Sequence, residues 1–273
     1  MNTRKLLTVF LGLTLVLSIA AFSAPEATTT ANEPTAAIEP TAAPIEPLVR
    51  ATIKLQILAP YVDVHGNQIV VREDGRDTQL NSVSTGLGTL VNTRDGTYIV
   101  THDHYAQLDA SCANVEMTDY TGSEVLLDIV SFRALIRYRN NGVLILDAPV
   151  GLPKGVSAGN GEEVEPGAEV QIVHRDADTG RLSIVPAVVE RWIDYQGIPS
   201  FRLRNLNGEV FRKGNSGGGV WYEGRLVGSI HRVSLDPDLC KDPQLPESLG
   251  QPTHCGFATR LSPERISILR PSN

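Results

Sequence analysis

Apolar positions along this chain fall into three regimes. A short basic start at Arg4 and Lys5 leads into an uncharged, mostly apolar run from Leu6 to Phe22. From Ala24 to Pro47 large apolar residues almost vanish, and Glu33-Pro34-Thr35-Ala36-Ala37 recurs as Glu39-Pro40-Thr41-Ala42-Ala43. From Arg50 onward, short runs of β-branched and apolar residues alternate with Gly, Asn and Asp clusters, the pattern of strands joined by tight turns. The pattern predicts strands over Ala51–Ala59, Gly86–Asn92, Tyr98–Thr101, Val143–Leu146, Val170–His174, Ser183–Arg191 and Arg225–Val233. Arg94-Asp95-Gly96, Asn207-Gly208 and Glu223-Gly224 supply hairpin turns. Only Ser262 to Leu269 reads as helix, with Ser262 at the N-cap, Pro263 at the first position and Glu264 in the first turn. A Gly/Pro/Glu-rich stretch from Pro149 to Gly167 divides this all-β region into halves, each large enough for a small barrel.

The leading run reads as a secretory signal over residues 1–23, ending in the small-x-small triplet Ala21-Phe22-Ser23. The alternative is an uncleaved anchor of about 17 residues, the short limit for crossing a bilayer. No cysteine near the cleavage site suggests a lipoprotein. Residues 24–49 read as a solvated, semi-stiff spacer, since proline removes backbone donors and too few apolar groups offset ordering entropy. The folded domain is expected over 50–273.

Composition refines this picture. The chain has 273 residues, 41% apolar and 20% charged, but part of the apolar share sits in the leader, so the barrels are leaner than the average. Net charge is −7, and loss of Arg4 and Lys5 on export takes it to −9. An acidic chain without a basic block is poorly suited to coat nucleic acid. Three cysteines cannot staple a fold of this length. Cys240 and Cys255 enclose a Pro-rich loop of 14 residues, and a disulfide there stabilises by about 3 kcal/mol in the loop-entropy model. That leaves Cys112 over; a pairing that uses Cys112 is the other arrangement.

Two segments carry chemistry. In Lys213-Gly214-Asn215-Ser216-Gly217-Gly218-Gly219-Val220-Trp221 a serine is held by glycines, which allow positive φ and let successive N–H groups converge on one point, as an oxyanion requires. A plain glycine-rich turn is the bland alternative. Gly214-x-Ser216-x-Gly218 also fits the lipase-type elbow. That elbow needs a following helix and β/α units, whereas here a hairpin follows and 57 residues remain after Ser216. The second segment is Thr101-His102-Asp103-His104-Tyr105, placed where a strand ends. Two histidines two apart suggest metal ligands, but Ala106 and Gln107 break the His-x-His-x-Asp-His signature, so no metal is expected. Surface histidines in a loop are the alternative.

Gly86-Leu87-Gly88-Thr89-Leu90-Val91, then Tyr98-Ile99-Val100-Thr101-His102-Asp103-His104, then Gly214-Asn215-Ser216-Gly217-Gly218 resemble trypsin-like serine proteases, in particular the bacterial HtrA-type and glutamyl-endopeptidase-type branch without a PDZ domain. The resemblance covers nearly all of Arg50 to Arg270. It implies two antiparallel six-stranded barrels with the active site between them. His104 is then the general base and Ser216 the nucleophile, with the N–H groups of Gly214 and Ser216 as the oxyanion hole. No cofactor is implied. Expected partners are protein or peptide substrates bound by a monomer, with membrane contact only through an uncleaved signal.

One position departs from that family. Its third member is an aspartate opening an Asp-x-Ala-x-Leu strand; here Gly142 fits the small position, which puts Asn140 in the aspartate's place, or Asn141 with a one-residue shift. A neutral amide cannot stabilise an imidazolium by charge, and in a well-studied triad that exchange lowers turnover about 10⁴-fold. Three accounts follow: a weak enzyme using Asn140; another carboxylate, with Asp103, Asp128 and Asp147 nearest in sequence; or a non-catalytic protein that binds without cutting. Gly219 stands where the family has proline. No Ile-Val-Gly-Gly segment lies near Arg50 to Tyr61, so no activating cut of that kind is expected. The strand Gly228-Ser229-Ile230-His231-Arg232-Val233 corresponds to the substrate-docking edge, with Ser229, Ile230 and His231 as binding residues. His231 suits an acidic substrate side chain, a core or solvated histidine being the alternative. Val210 at the pocket-base position argues against a preference for Lys or Arg.

Overall fold

Alternation in Thr52–Pro60 sends Ile53, Leu55 and Ile57 into the core and leaves Lys54 and Gln56 half-buried, the period-two signature of a strand. The same logic builds the rest of the computed structural model, which describes residues 47–269 except 62, 64, 66, 74, 80, 107–112, 141, 177–178, 207–210, 213, 235–239 and 242–254. The signal, most of the spacer, Cys112, Asn141, the Asn207-Gly208 turn and Val210 lie outside the described residues. Pro47 to Val49, at the spacer's expected end, already belong to a one-turn helix α1 (Pro47–Arg50), whose Leu48 is buried and whose Leu48 carbonyl accepts from the Thr52 hydroxyl at 2.8 Å.

The first half contains β1 (Thr52–Pro60), β2 (Val70–Glu73), β3 (Arg76–Gln79), β4 (Asn81–Asn92), β5 (Thr97–Thr101), a 3-10 turn over Asp103–Ala106, β6 (Asn114–Thr118), β7 (Glu124–Asp128), α2 (Ile129–Ala134), β8 (Ile136–Asn140) and β9 (Val143–Asp147). Seven strands pair in the order β7-β6-β1-β4-β5-β9-β8, and β2 with β3 forms a separate hairpin. The second half contains β10 (Glu169–Arg175), β11 (Leu182–Tyr195), β12 (Ile198–Asn205), β13 (Gly219–Tyr222), β14 (Arg225–Ser234), β15 (Cys255–Arg260) and then α3 (Pro263–Ile268). These six strands close a barrel in the order β10-β11-β12-β15-β14-β13.

The all-β expectation holds, and the six-stranded barrel is found in the second half. The first half differs. It is a curled, open sheet of seven strands, because β7 and β8 are joined through α2 and are not hydrogen-bonded to each other. Asp128 starts α2 by accepting the Ser131 N–H, a cap that the apolar pattern did not reveal. α3 starts as expected, with Ser262 accepting the Arg265 N–H and Pro263 next. Among the described residues no helix is long and apolar enough to cross a membrane.

Three apolar clusters position the site. One fills the first half around Ile53, Leu90, Phe132 and Leu144. Another fills the second barrel around Ile172, Phe201, Val220 and Ile230. The third joins them: Val91, Val100, Val143 and Ile145 meet Val173, Trp221, Leu226 and Leu261. β5 and β9 are therefore covered on both faces, which is why Val143–Leu146 reads as an unbroken apolar run rather than an alternating one. The Glu223-Gly224 turn has positive φ at both residues, 49° and 73°, and brings Tyr222 opposite Arg225 as a tight two-residue hairpin.

Candidate active site

β5 delivers the histidine segment. At its end Thr101 is buried and its hydroxyl donates to the Leu87 carbonyl at 2.6 Å, tying the strand to β4. The chain then turns tightly over Asp103–Ala106, which carries His104, half-buried, and Tyr105, fully buried. His102 is packed inside the turn. Its Nδ1 accepts the His104 backbone N–H at 3.1 Å and lies 3.4 Å from the Asp103 carboxylate. Neutral His102 therefore carries its proton on Nε2, a buried atom with no hydrogen-bond partner among the described residues.

The serine segment is fixed from three sides. The Ser216 carbonyl accepts the Leu87 N–H at 2.8 Å and the Tyr105 hydroxyl at 3.3 Å. Tyr105 reaches it only because Gly86 has no side chain: a β-carbon there would overlap the phenol. On the opposite side Gly217 N–H donates to Ile230 O at 2.6 Å and Ile230 N–H to Gly218 O at 2.8 Å, stitching the loop to β14. Asn215 is buried; its Oδ1 accepts the Arg175 backbone N–H at 2.6 Å and its Nδ2 donates to Arg212 O at 3.2 Å. Gly214 adopts φ +95°. Among the described residues neither the Gly214 N–H nor the Ser216 N–H has a protein acceptor, as an oxyanion site demands.

Tyr105 links the two segments: its hydroxyl bonds to the Ser216 carbonyl at 3.3 Å and its ring lies 4.1 Å from that of His104. Among the described residues no hydrogen bond joins the His104 ring to the Ser216 hydroxyl; such bonds are often long before substrate closes them. Burial holds His104 below its ordinary pKa of 6.5, with Asp103 pulling the other way. Burial, then the neighbouring His104 and His231, lowers His102 to about 3. Tyr105 is pushed up by burial, against the nearby positive charge of Arg175.

Behind His104 the arrangement is unusual. Asn140 lies exposed at the end of β8, opposite Val143, and is not among the described partners of His104. Gly142 is buried at φ +78°, and a β-carbon there would come within 2.6 Å of Thr259 Oγ1. Two carboxylates are engaged elsewhere: Asp128 caps α2, and Asp147 pairs with Arg137 at 2.6 Å, opposite Tyr98 and so three residues back from the Thr101 end of β5. The charge of Asp103 raises the His104 pKa, while its carboxylate lies 3.4 Å from His102 Nδ1. Two rings stand against His104's own: Tyr105, with centroids 4.1 Å apart, and His102, with centroids 4.4 Å apart.

The docking strand needs a correction. β13 ends opposite Ser229, and both main-chain groups of Ile230 are taken by Gly217 and Gly218, so neither Ser229 nor Ile230 offers a free edge. The open side of β14 starts at His231. That residue is itself buried: Nε2 lies 3.2 Å from Ser200 Oγ, and its ring packs against Tyr195, Phe257 and, at 5.7 Å between centroids, His102. Burial, then Arg232 and His104, lowers His231 to about 4. Cys240 and Cys255 are joined in a disulfide at the head of β15. Motif spacing singled out His104 and Ser216 as candidates but assigned no part to Tyr105, Asn215 or Arg175; for Tyr105 the sign in the sequence was the glycine at position 86, where a β-carbon would overlap its phenol.

No protein-family model and no curated protein matches the sequence. The structure is similar to that of the HtrA-type protease AlgW with a decapeptide, with TM-score 0.53 and 13% identity over 82% of this chain and 64% of that one. It is also similar to the active form of the Rv3671c protease from M. tuberculosis, with TM-score 0.51 and 16% identity over 81% of this chain and 79% of that one. The chain spans just under two thirds of the AlgW chain's length. At such identities the likeness is one of fold, the trypsin-like double barrel.

Proposed function

We propose that this chain is an exported serine endopeptidase with Ser216 as nucleophile and His104 as general base. One observation carries the reading. The Ser216 loop presents two N–H groups that have no acceptor among the described residues, and the Tyr105 hydroxyl ties it to the turn that bears His104. A serine hydroxyl is a weak nucleophile until a base takes its proton. A half-buried imidazole held below 6.5 is in its neutral, basic form at pH 7. Ser216 Oγ attacks the scissile carbonyl while His104 takes the proton; the oxygen that gains charge turns to the Gly214 and Ser216 N–H groups. His104 then protonates the leaving amine, and water repeats the sequence on the acyl-enzyme. Asp103 supplies the negative charge that Asn140 cannot. The Arg175 N–H, by holding Asn215, takes over the ordering for which some relatives need a freed N-terminus, so no activating cut is required.

We read the substrates as extended protein segments, with an acidic or small apolar residue before the cut, His231 and Arg232 standing at the docking edge. The signal and spacer would deliver the domain outside the cytoplasm as a monomer. A fluorophosphonate probe tests the chemistry: wild type should be labelled and should cut casein, and Ser216→Ala should do neither. The exposed Asn140 favours a second reading, a folded but non-catalytic peptide-binding module, for which wild type stays unlabelled.

A further inference from the structure

Arg175 ends β10 immediately beside the serine loop. Its backbone holds Asn215, but its side chain has no such task. Among the described residues the guanidinium makes no hydrogen bond or ion pair, and its Nε is buried without a partner. It lies in a slot between two glycines. A β-carbon on Gly214 would meet Arg175 Nη1 at 3.9 Å, and one on Gly180 would meet Nη2 at 3.8 Å and Nε at 3.9 Å. The same direction from Gly214 leads to the Thr85 hydroxyl at 3.4 Å. Asp176, next along the chain, turns its carboxylate to the Thr179 N–H at 2.7 Å and hydroxyl at 2.8 Å. A half-buried arginine fork whose Nε is left unpaired is shaped to take a carboxylate in bidentate fashion.

Its place in the cleft says which carboxylate. The serine loop has two flanks. Gly217 and Gly218 face β14, along which the acyl part of a peptide would pair. Gly214 faces the opposite wall, made by Thr85 of β4 and Arg175 of β10. A chain crossing Ser216 from the β14 side continues over Gly214 toward that wall. We propose that Arg175, with the Thr85 hydroxyl beside it, forms a carboxylate-binding subsite on the leaving-group side, selecting substrates with Asp or Glu at the first or second residue after the cut. This rests on the peptidase reading above.

The test digests a proteome-derived peptide library with wild type, Arg175→Lys, Arg175→Gln and Arg175→Glu, and reads the new termini by mass spectrometry. Wild type is expected to enrich Asp and Glu at those two positions about fivefold, the scale of one solvent-facing charge pair. Arg175→Lys keeps part of the enrichment, Arg175→Gln abolishes it, and Arg175→Glu reverses it toward Lys and Arg. Each preference is a ratio within one digest, so a change in overall rate does not imitate it. The same acid enrichment in all four proteins, or none in wild type, overturns the subsite and leaves the peptidase reading standing. A uniform loss of rate in Arg175→Gln with the preference intact also overturns it and makes Arg175 an oxyanion group instead. Wild type that neither cuts nor takes the fluorophosphonate label overturns both.

Discussion

At the scale of single residues, the proposed proton relay depends on what surrounds His104. Burial lowers its pKa and Asp103 raises it. A general base works in its neutral form, so kcat/KM should keep its plateau at pH 7 and fall on the acid side with an inflection below 6.5. Asp103→Asn removes the raising charge. The inflection then moves to still lower pH, and the plateau drops by about tenfold, less than the ~10⁴-fold cost of losing a buried triad aspartate, because Asp103 is partly open to solvent. Profiles from pH 5 to 9 for both proteins check this; superimposable curves would show that Asp103 does not serve His104. Ser216 and His104 stood out as candidates in the sequence because both lie in short, dense motifs. Tyr105 did not, because its partner Ser216 is 111 positions away and no local spacing encodes that contact.

At the scale of elements, legibility followed burial. Strands covered on one or both faces, such as β1, β5, β9 and β14, announced themselves through apolar runs. β7 and β8 carry exposed alternate positions and polar text such as Glu124–Asp128 and Ile136–Asn140, so pattern alone passed over them. A bulge in β11 was equally hidden. It falls between Val189 and Arg191 and leaves Glu190 out of the ladder. Glu190 meets Arg202 at 2.7 Å and Arg204 at 2.8 Å, and Arg202 also donates to the carbonyls of Cys240 and, at 2.8 Å, Lys241. One buried arginine thus links two barrel strands to the disulfide segment. Arg202→Leu leaves Glu190 short of its buried partner and frees two carbonyls, and should lower stability by about 3 kcal/mol. Adding Glu190→Leu should recover much of that loss. Urea unfolding of the two single variants and the double variant measures the coupling, and additive losses would mean that the pair does not act as a unit.

At the scale of the whole molecule, the division into halves was readable from the Gly/Pro/Glu-rich stretch after Pro149, but the way they meet was not. Part of that junction is aromatic and titratable: His102 from the first half stacks on His231 from the second, 5.7 Å apart and nearly parallel. Both are buried and both are held neutral, with pKa values near 3 and near 4 against 6.5 for the free side chain. On acidification the unfolded chain therefore takes up these protons first. Their contribution to stability is complete above pH 6.5 and is lost as pH falls toward 4 for His231 and toward 3 for His102, with a slope of up to about 1.4 kcal/mol per pH unit for each group. His231→Gln keeps a polar partner for the Ser200 hydroxyl but does not titrate. Its Tm at pH 7.5 should be lower than that of wild type, while its decline between pH 6.5 and 4 should be shallower, so that the two curves converge. Tm measured across that range at constant ionic strength decides the matter, since carboxylates contribute equally to both proteins and drop out of the difference. Curves that stay parallel would mean that the imidazole stack is not where acid opens the junction between the halves.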